Sequence, residues 1–141
     1  MRIRIIYGIV SNEYIPEEEI TQDQSRQTIV TLYFANNQLD ELKKEGRLID
    51  IKELYLDPYN SLINMLIDGP TSSDMVRLIP EEAILIGSIL EGNCLTIDWS
   101  SQILEGEDNN LMIKSILETL RQLIEIEEIK MTVEGKSTDW I

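Results

Sequence analysis

Apolar positions along the chain recur with two periods, and the switch between them lays out the elements. Over residues 28–34, Val30, Leu32 and Phe34 alternate with Ile29, Thr31 and Tyr33, the period of a half-buried strand. Tyr33 falls on its wetter side. Residues 35–46 are polar and end in glycine, compatible with a turn of helix or an open loop. A second strand is expected at about residues 47–54, with Ile49 and Ile51 as its inward pair.

The stretch from Asp57 to Pro80 is the most strongly punctuated. Asp57 suits an N-cap, and Pro58 suits the first helical position, where a missing N–H costs nothing. Leu62, Ile63 and Leu66 follow Tyr59 at helical spacing, and Gly69 with Pro70 stops the helix. A loop closes on Pro80. ILIGSIL and CLTIDW then form two apolar runs around Glu91, Gly92 and Asn93, which predicts a hairpin. Leu95, Ile97 and Trp99 make one face of its second strand and Cys94, Thr96 and Asp98 the other. A loop of two or of three residues would pair opposite sides of the first strand with the core, and both remain open. Asp108 or Asn109 caps the next helix, expected over residues 110–126 with Ile113, Ile116, Leu117, Leu120, Leu123 and Ile124 on one broad face. IKMTV closes the pattern as a strand with Ile129, Met131 and Val133 inward, ended by Gly135.

The order is therefore β-β-α-β-β-α-β, with two helices that must each bury one stripe. An α+β fold follows: a two-layer mixed sheet with both helices packed on one face. Before it, residues 1–27 read as an N-terminal acidic flexible segment, with three consecutive glutamates and few apolar side chains after residue 10. Residues 28–141 make a single domain.

TLYF at 31–34, the Asp57–Pro80 stretch and LTIDWS at 95–100 stand in an order that resembles a GerMN domain. That module belongs to a family of sporulation and spore germination proteins, and the resemblance covers roughly residues 28–135. It implies a fold similar to ring-building-motif domains and a non-enzymatic role in interaction or assembly at the cell envelope. No catalytic, cofactor-binding or metal-binding residue carries over. Protein partners or self-association are implied, and the namesake's tandem copies make this single copy a contributory module. Exported, often lipid-anchored relatives place the chain outside the cytoplasm or in the envelope. MRIRIIYGIV has two arginines before an apolar run too short for a signal peptide, with no small-residue cleavage site and no lipobox cysteine. Membrane association is expected only through an export or anchor segment absent from this sequence.

Composition narrows the chemistry. A net charge of −14 opposes a phosphate backbone, so nucleic acid is excluded as a partner; the missing GXXG loop removes the RNA-binding relative of the same strand order. With no histidine, Ser-His-Asp and Cys-His nucleophiles are excluded, and zinc is disfavoured because Cys94 stands alone. Cys94 reads as a partly buried structural thiol. EGEDNN at 105–110 is the densest oxygen-ligand run, but it lacks EF-hand spacing and reads as a helix-capping loop. Glycoside hydrolysis needs only two carboxyl groups, yet no acid sits in a recognisable motif, and Asp98 reads as a solvent-facing or turn-forming residue. The alternative to assembly is an envelope ligand-binding module for a peptide, small molecule or peptidoglycan, using Tyr33, Arg77 and the 71–80 loop. Trp99 reads as core or core rim, and Trp140 as an exposed anchor or a side chain that packs back.

Overall fold

The computed structural model describes residues 26–137. Residues 1–25 of the expected acidic segment and Trp140 lie outside the described residues; Arg26 and Gln27 are described, and Gln27 begins the first strand. Among the described residues, seven strands and three α-helices make the α+β class expected from the pattern, with the strands divided between two sheets where one was expected.

Strand β1 (Gln27–Asn36) pairs antiparallel with β2 (Leu42–Asp50), from Gln27 opposite Asp50 to Ala35 opposite Leu42. Val30, Leu32 and Phe34 point into the core, as the alternation predicts. The polar stretch at 35–46 is neither helix nor open loop. Asn36 folds it into a hairpin turn: its side-chain carbonyl accepts from the amides of Asp40 and Glu41, and β2 starts at Leu42.

The second strand ends earlier than expected, because the Asp50 side chain accepts from the Lys52 amide and caps helix α1 (Ile51–Leu56). Ile49 remains inward, but Ile51 opens the helix and is only half-buried. Asp57 ends α1 and caps helix α2 (Pro58–Asp68), which buries Leu62, Ile63 and Leu66. Gly69 at φ 91° stops α2 in a conformation that a side chain would strain. A β-carbon there would also stand 2.7 Å from the Arg77 guanidinium.

Two residues, β3 (Met75–Val76), extend the first sheet beside the end of β1. Strands β4 (Leu85–Glu91) and β5 (Cys94–Trp99) form the expected hairpin, and Glu91 opposite Cys94 makes its loop two residues, Gly92 at φ 67° and Asn93. A bulge between Leu85 and Gly87 shifts the phase of β4, so Ser88 and Leu90 oppose the buried Ile97 and Leu95 while Leu85 still faces Trp99. That shift is why alternation could not settle the inward side.

A 3-10 turn (Ser101–Glu105) leads to helix α3 (Asn109–Leu120), capped by Asp108 through the Leu111 amide. It is shorter than expected, and its buried face is rotated. Met112, Ser115, Ile116, Thr119 and Leu120 are buried, whereas Ile113 and Leu117 are half-buried and Ile124 is exposed. Because β6 (Glu128–Val133) runs parallel to β5, the chain must cross over between them, and α3 is that crossover. A tight turn at Glu134 and Gly135 adds β7 (Lys136–Ser137), giving the order β4-β5-β6-β7. One core joins both sheets and the helices, with Trp99 fully buried in it. Among the described residues no helix is long and apolar enough to cross a membrane.

Helix α3 and the turn after it are joined to the first sheet by polar side chains as well as by the core. Ser115 Oγ donates to the Tyr33 carbonyl at 2.6 Å, and Thr119 Oγ1 accepts from the Tyr33 amide at 3.1 Å. The Gln122 side chain accepts from the Thr31 amide and donates to the Thr31 carbonyl, as a neighbouring strand would. Positions 115, 119 and 122 lie on one helical face, so α3 and the turn after it supply the missing neighbour of β1.

Candidate functional site

The loop after α2 is the first place to seek a binding site, and it proves to be tied down. Glu45 reaches from β2 into it, accepting from the amides of Thr71 and Ser72 and from Arg47, whose guanidinium also donates to the Gly69 carbonyl. Burial alone would raise the Glu45 pKa; hydrogen bonds from Arg47, Thr71 and Ser72 outweigh it and hold the carboxyl at about 2. Arg77 donates to the carbonyls of Ile67 and Asp68, satisfying the open end of α2. Its guanidinium is thereby committed to the domain's own backbone. Tyr33 lies on β1, half-buried, with its backbone engaged by α3. No described hydrogen bond brings Tyr33 and Arg77 together as a ligand pair.

A cleft of about 340 Å³ lies beside this loop, lined by Leu39, Val76, Ile79 and Pro80 with Glu105 and Glu107 at its rim. Glu105 and Glu107 are exposed, while Asp108 is spent on the α3 cap. Among the described residues no group of three or more acidic, cysteine or histidine side chains is placed to hold a metal ion. Asp98 accepts from the Thr132 hydroxyl at 2.6 Å and the Gly135 amide at 2.8 Å, so it pins the β6–β7 turn. Cys94 is free and half-buried.

The surfaces left unsatisfied are apolar. Strand β4 is terminal in its sheet, so the backbone groups on its far side have no strand partner. Around it Ile84, Ile86 and Ile89 are 62%, 53% and 63% exposed. Glu81, Glu82 and Glu91 flank this run, the charged punctuation that keeps an apolar edge from pairing indiscriminately. A β-carbon at Gly87 would meet nothing within 4 Å. On the other sheet, Ile29 and Leu48 face each other across β1 and β2 and are both exposed. Sequence reasoning had signalled the apolar run of β4; its position at an open edge comes from the sheet order.

A family model described as sporulation and spore germination matches residues 31–139. The chain belongs to that family. Its GerMN fold recurs in solved structures from Bacillus subtilis. The tandem GerMN domains of the sporulation protein GerM align with a TM-score of 0.65 at 20% identity, covering 83% of this chain and 42% of that one. The first GerMN domain of GerM aligns at 0.66 and 15% identity, over 79% of this chain and 86% of its own. A candidate lipoprotein from Clostridium perfringens aligns at 0.53 and 16% identity, over 84% and 80%. The chain thus spans under half of the tandem protein and most of a single GerMN domain. No curated protein sequence matches it.

Proposed function

We propose that this GerMN domain is a non-enzymatic assembly module that acts at the cell envelope in sporulation or spore germination. Membership of the family supports the process, and the likeness to a candidate lipoprotein supports the location. The observation that carries the assembly reading is the β4 edge, whose unpaired backbone lies among three exposed isoleucines. Such an edge can accept another strand through main-chain hydrogen bonds while Ile86 and Ile89 provide apolar contact. Arg77, the cation that would serve a ligand-binding reading, is engaged within the domain.

Light scattering on the eluted protein over a wide concentration range, at moderate and high salt, tests the reading. High salt matters because a net charge of −14 opposes contact between copies until it is screened. A mass that rises above one chain, and returns to one chain in Ile89→Lys, is the expected result. A single-chain mass in every condition would remove self-assembly.

A further inference from the structure

A second surface opens along β2. It is a terminal strand of the first sheet, and among the described residues no backbone hydrogen bond reaches it from the side away from β1. Beside its end lies a groove of about 580 Å³, with α1 and α2 as the opposite bank. Leu48 and Ile49 point to opposite faces of the sheet and both line the groove, so it opens on the edge of the strand and not over a face. Leu48, Leu56 and Met65 give it an apolar wall, with Leu48 58% and Leu56 77% exposed. Along α2, Asn60, Asn64 and Asp68 line it at every fourth residue; at 1.5 Å per residue this is about 12 Å, the length of roughly four extended residues.

The groove also selects by charge. Asp50, Glu53, Asp57 and Asp68 stand around it, no lysine or arginine lines it, and among the described residues none of the four has an ion-pair partner. Asp57 and Asp68 sit at the two ends of α2, so negative charge flanks the apolar wall on both sides. An extended chain turns successive side chains to opposite sides, which separates apolar positions from charged ones. Cations in the second set are attracted to such a rim, and acids are repelled. Another copy of this chain offers no such segment at its open apolar edge. No lysine or arginine occurs between Arg77 and Lys114, the stretch that contains β4, and Glu81, Glu82 and Glu91 flank that strand. The charge therefore points to a strand of a different protein.

We propose that this groove is the docking site for an extended segment of a partner protein that alternates apolar and cationic residues and adds to the edge of β2. Main-chain hydrogen bonds with β2 set its register, Leu48, Leu56 and Met65 hold its apolar side chains, and the acidic rim selects its lysines or arginines. The site lies on the other sheet from β4 and is independent of the assembly reading.

Isotope-labelled full-length protein, titrated with the capped hexapeptide Lys-Leu-Lys-Leu-Lys-Leu, gives the test by magnetic resonance. The expected result is saturable binding that shifts the methyls of Leu48, Leu56 and Met65, slows exchange of β2 amides and leaves the Trp99 core signals unchanged. Added salt should weaken it. Glu53→Lys with Asp68→Lys, both at exposed positions, should weaken it about tenfold. The same variant should bind the Glu-Leu hexapeptide, which the parent rejects. Ile89→Lys should bind the lysine peptide as the parent does, so a failure of self-association leaves this result standing. Equal affinity in the parent and in Glu53→Lys with Asp68→Lys would overturn the proposal. Shifts centred on Glu105 and Glu107 would overturn it equally, since binding would then be diffuse attraction to a chain of net charge −14.

Discussion

The edges of β1 and β4 begin from the same problem, a row of backbone groups without a neighbouring strand, and the molecule treats them in opposite ways. At β1 the row is closed from within: Thr31 and Tyr33 each give and receive a hydrogen bond from Ser115, Thr119 and Gln122. At β4 the row has no strand neighbour, and exposed isoleucines stand around it. Burial explains the difference. Ser115 and Thr119 are 2% and 0% exposed, and an unpaired peptide group in such surroundings costs about 1–3 kcal/mol. An edge in water loses little by staying open and remains available for a partner strand. A second closure on the same hairpin works alike, with Glu45 of β2 taking two amides of the loop after α2.

If the first sheet is held by polar ties and the β4 edge is not, acid should weaken only the former. Glu45 titrates at about 2 in the folded protein against an ordinary 4.5, so its contribution is complete above 4.5 and declines as pH falls towards 2. A depression of that size corresponds to about 3 kcal/mol, and the stability lost over this window in urea denaturation should shrink by that order in Glu45→Gln. Next in size is Gln122→Leu. It removes both partners of Thr31 and a bond to the Thr119 carbonyl, and should cost about 2–3 kcal/mol. Thr119→Val keeps the shape and strands only the Tyr33 amide, for about 1–2 kcal/mol. Equal stability of Gln122→Leu and the parent would mean that β1 is not closed in this way. At the open edge, Ile89→Lys should change the unfolding free energy by under about 0.5 kcal/mol while abolishing any association. A large loss of stability there would show that the edge already serves the domain itself.

What could be read from the chain and what could not divide along the range of the interactions. Local chemistry was legible: Asp57 and Pro58 start α2, Gly69 ends it, and Leu95, Ile97 and Trp99 alternate into the core. Each depends on neighbours within a turn or two, where φ preferences and side-chain periodicity are set by the residues themselves. The end of β2 was misplaced because Ile51 continues the apolar alternation, while the Asp50 cap that breaks it is a single side-chain bond. The buried face of α3 was placed only in part, Ile116, Leu120 and Leu123 being buried as expected, for a related reason. An apolar stripe pointed to Ile113, Leu117 and Ile124, but Ser115 and Thr119 are buried because β1, more than 80 residues earlier, brings peptide groups that need them. Uncharged polar residues at 115, 119 and 122 were the one visible sign, and their meaning depended on a strand that helical periodicity does not contain. By itself the sequence determined the main strands, helices α2 and α3, their order and the caps at Asp57 and Asp108. The division into two sheets, the sealing of one edge and the exposure of the other were decided by tertiary structure, because a backbone edge is buried or open only once distant segments have met.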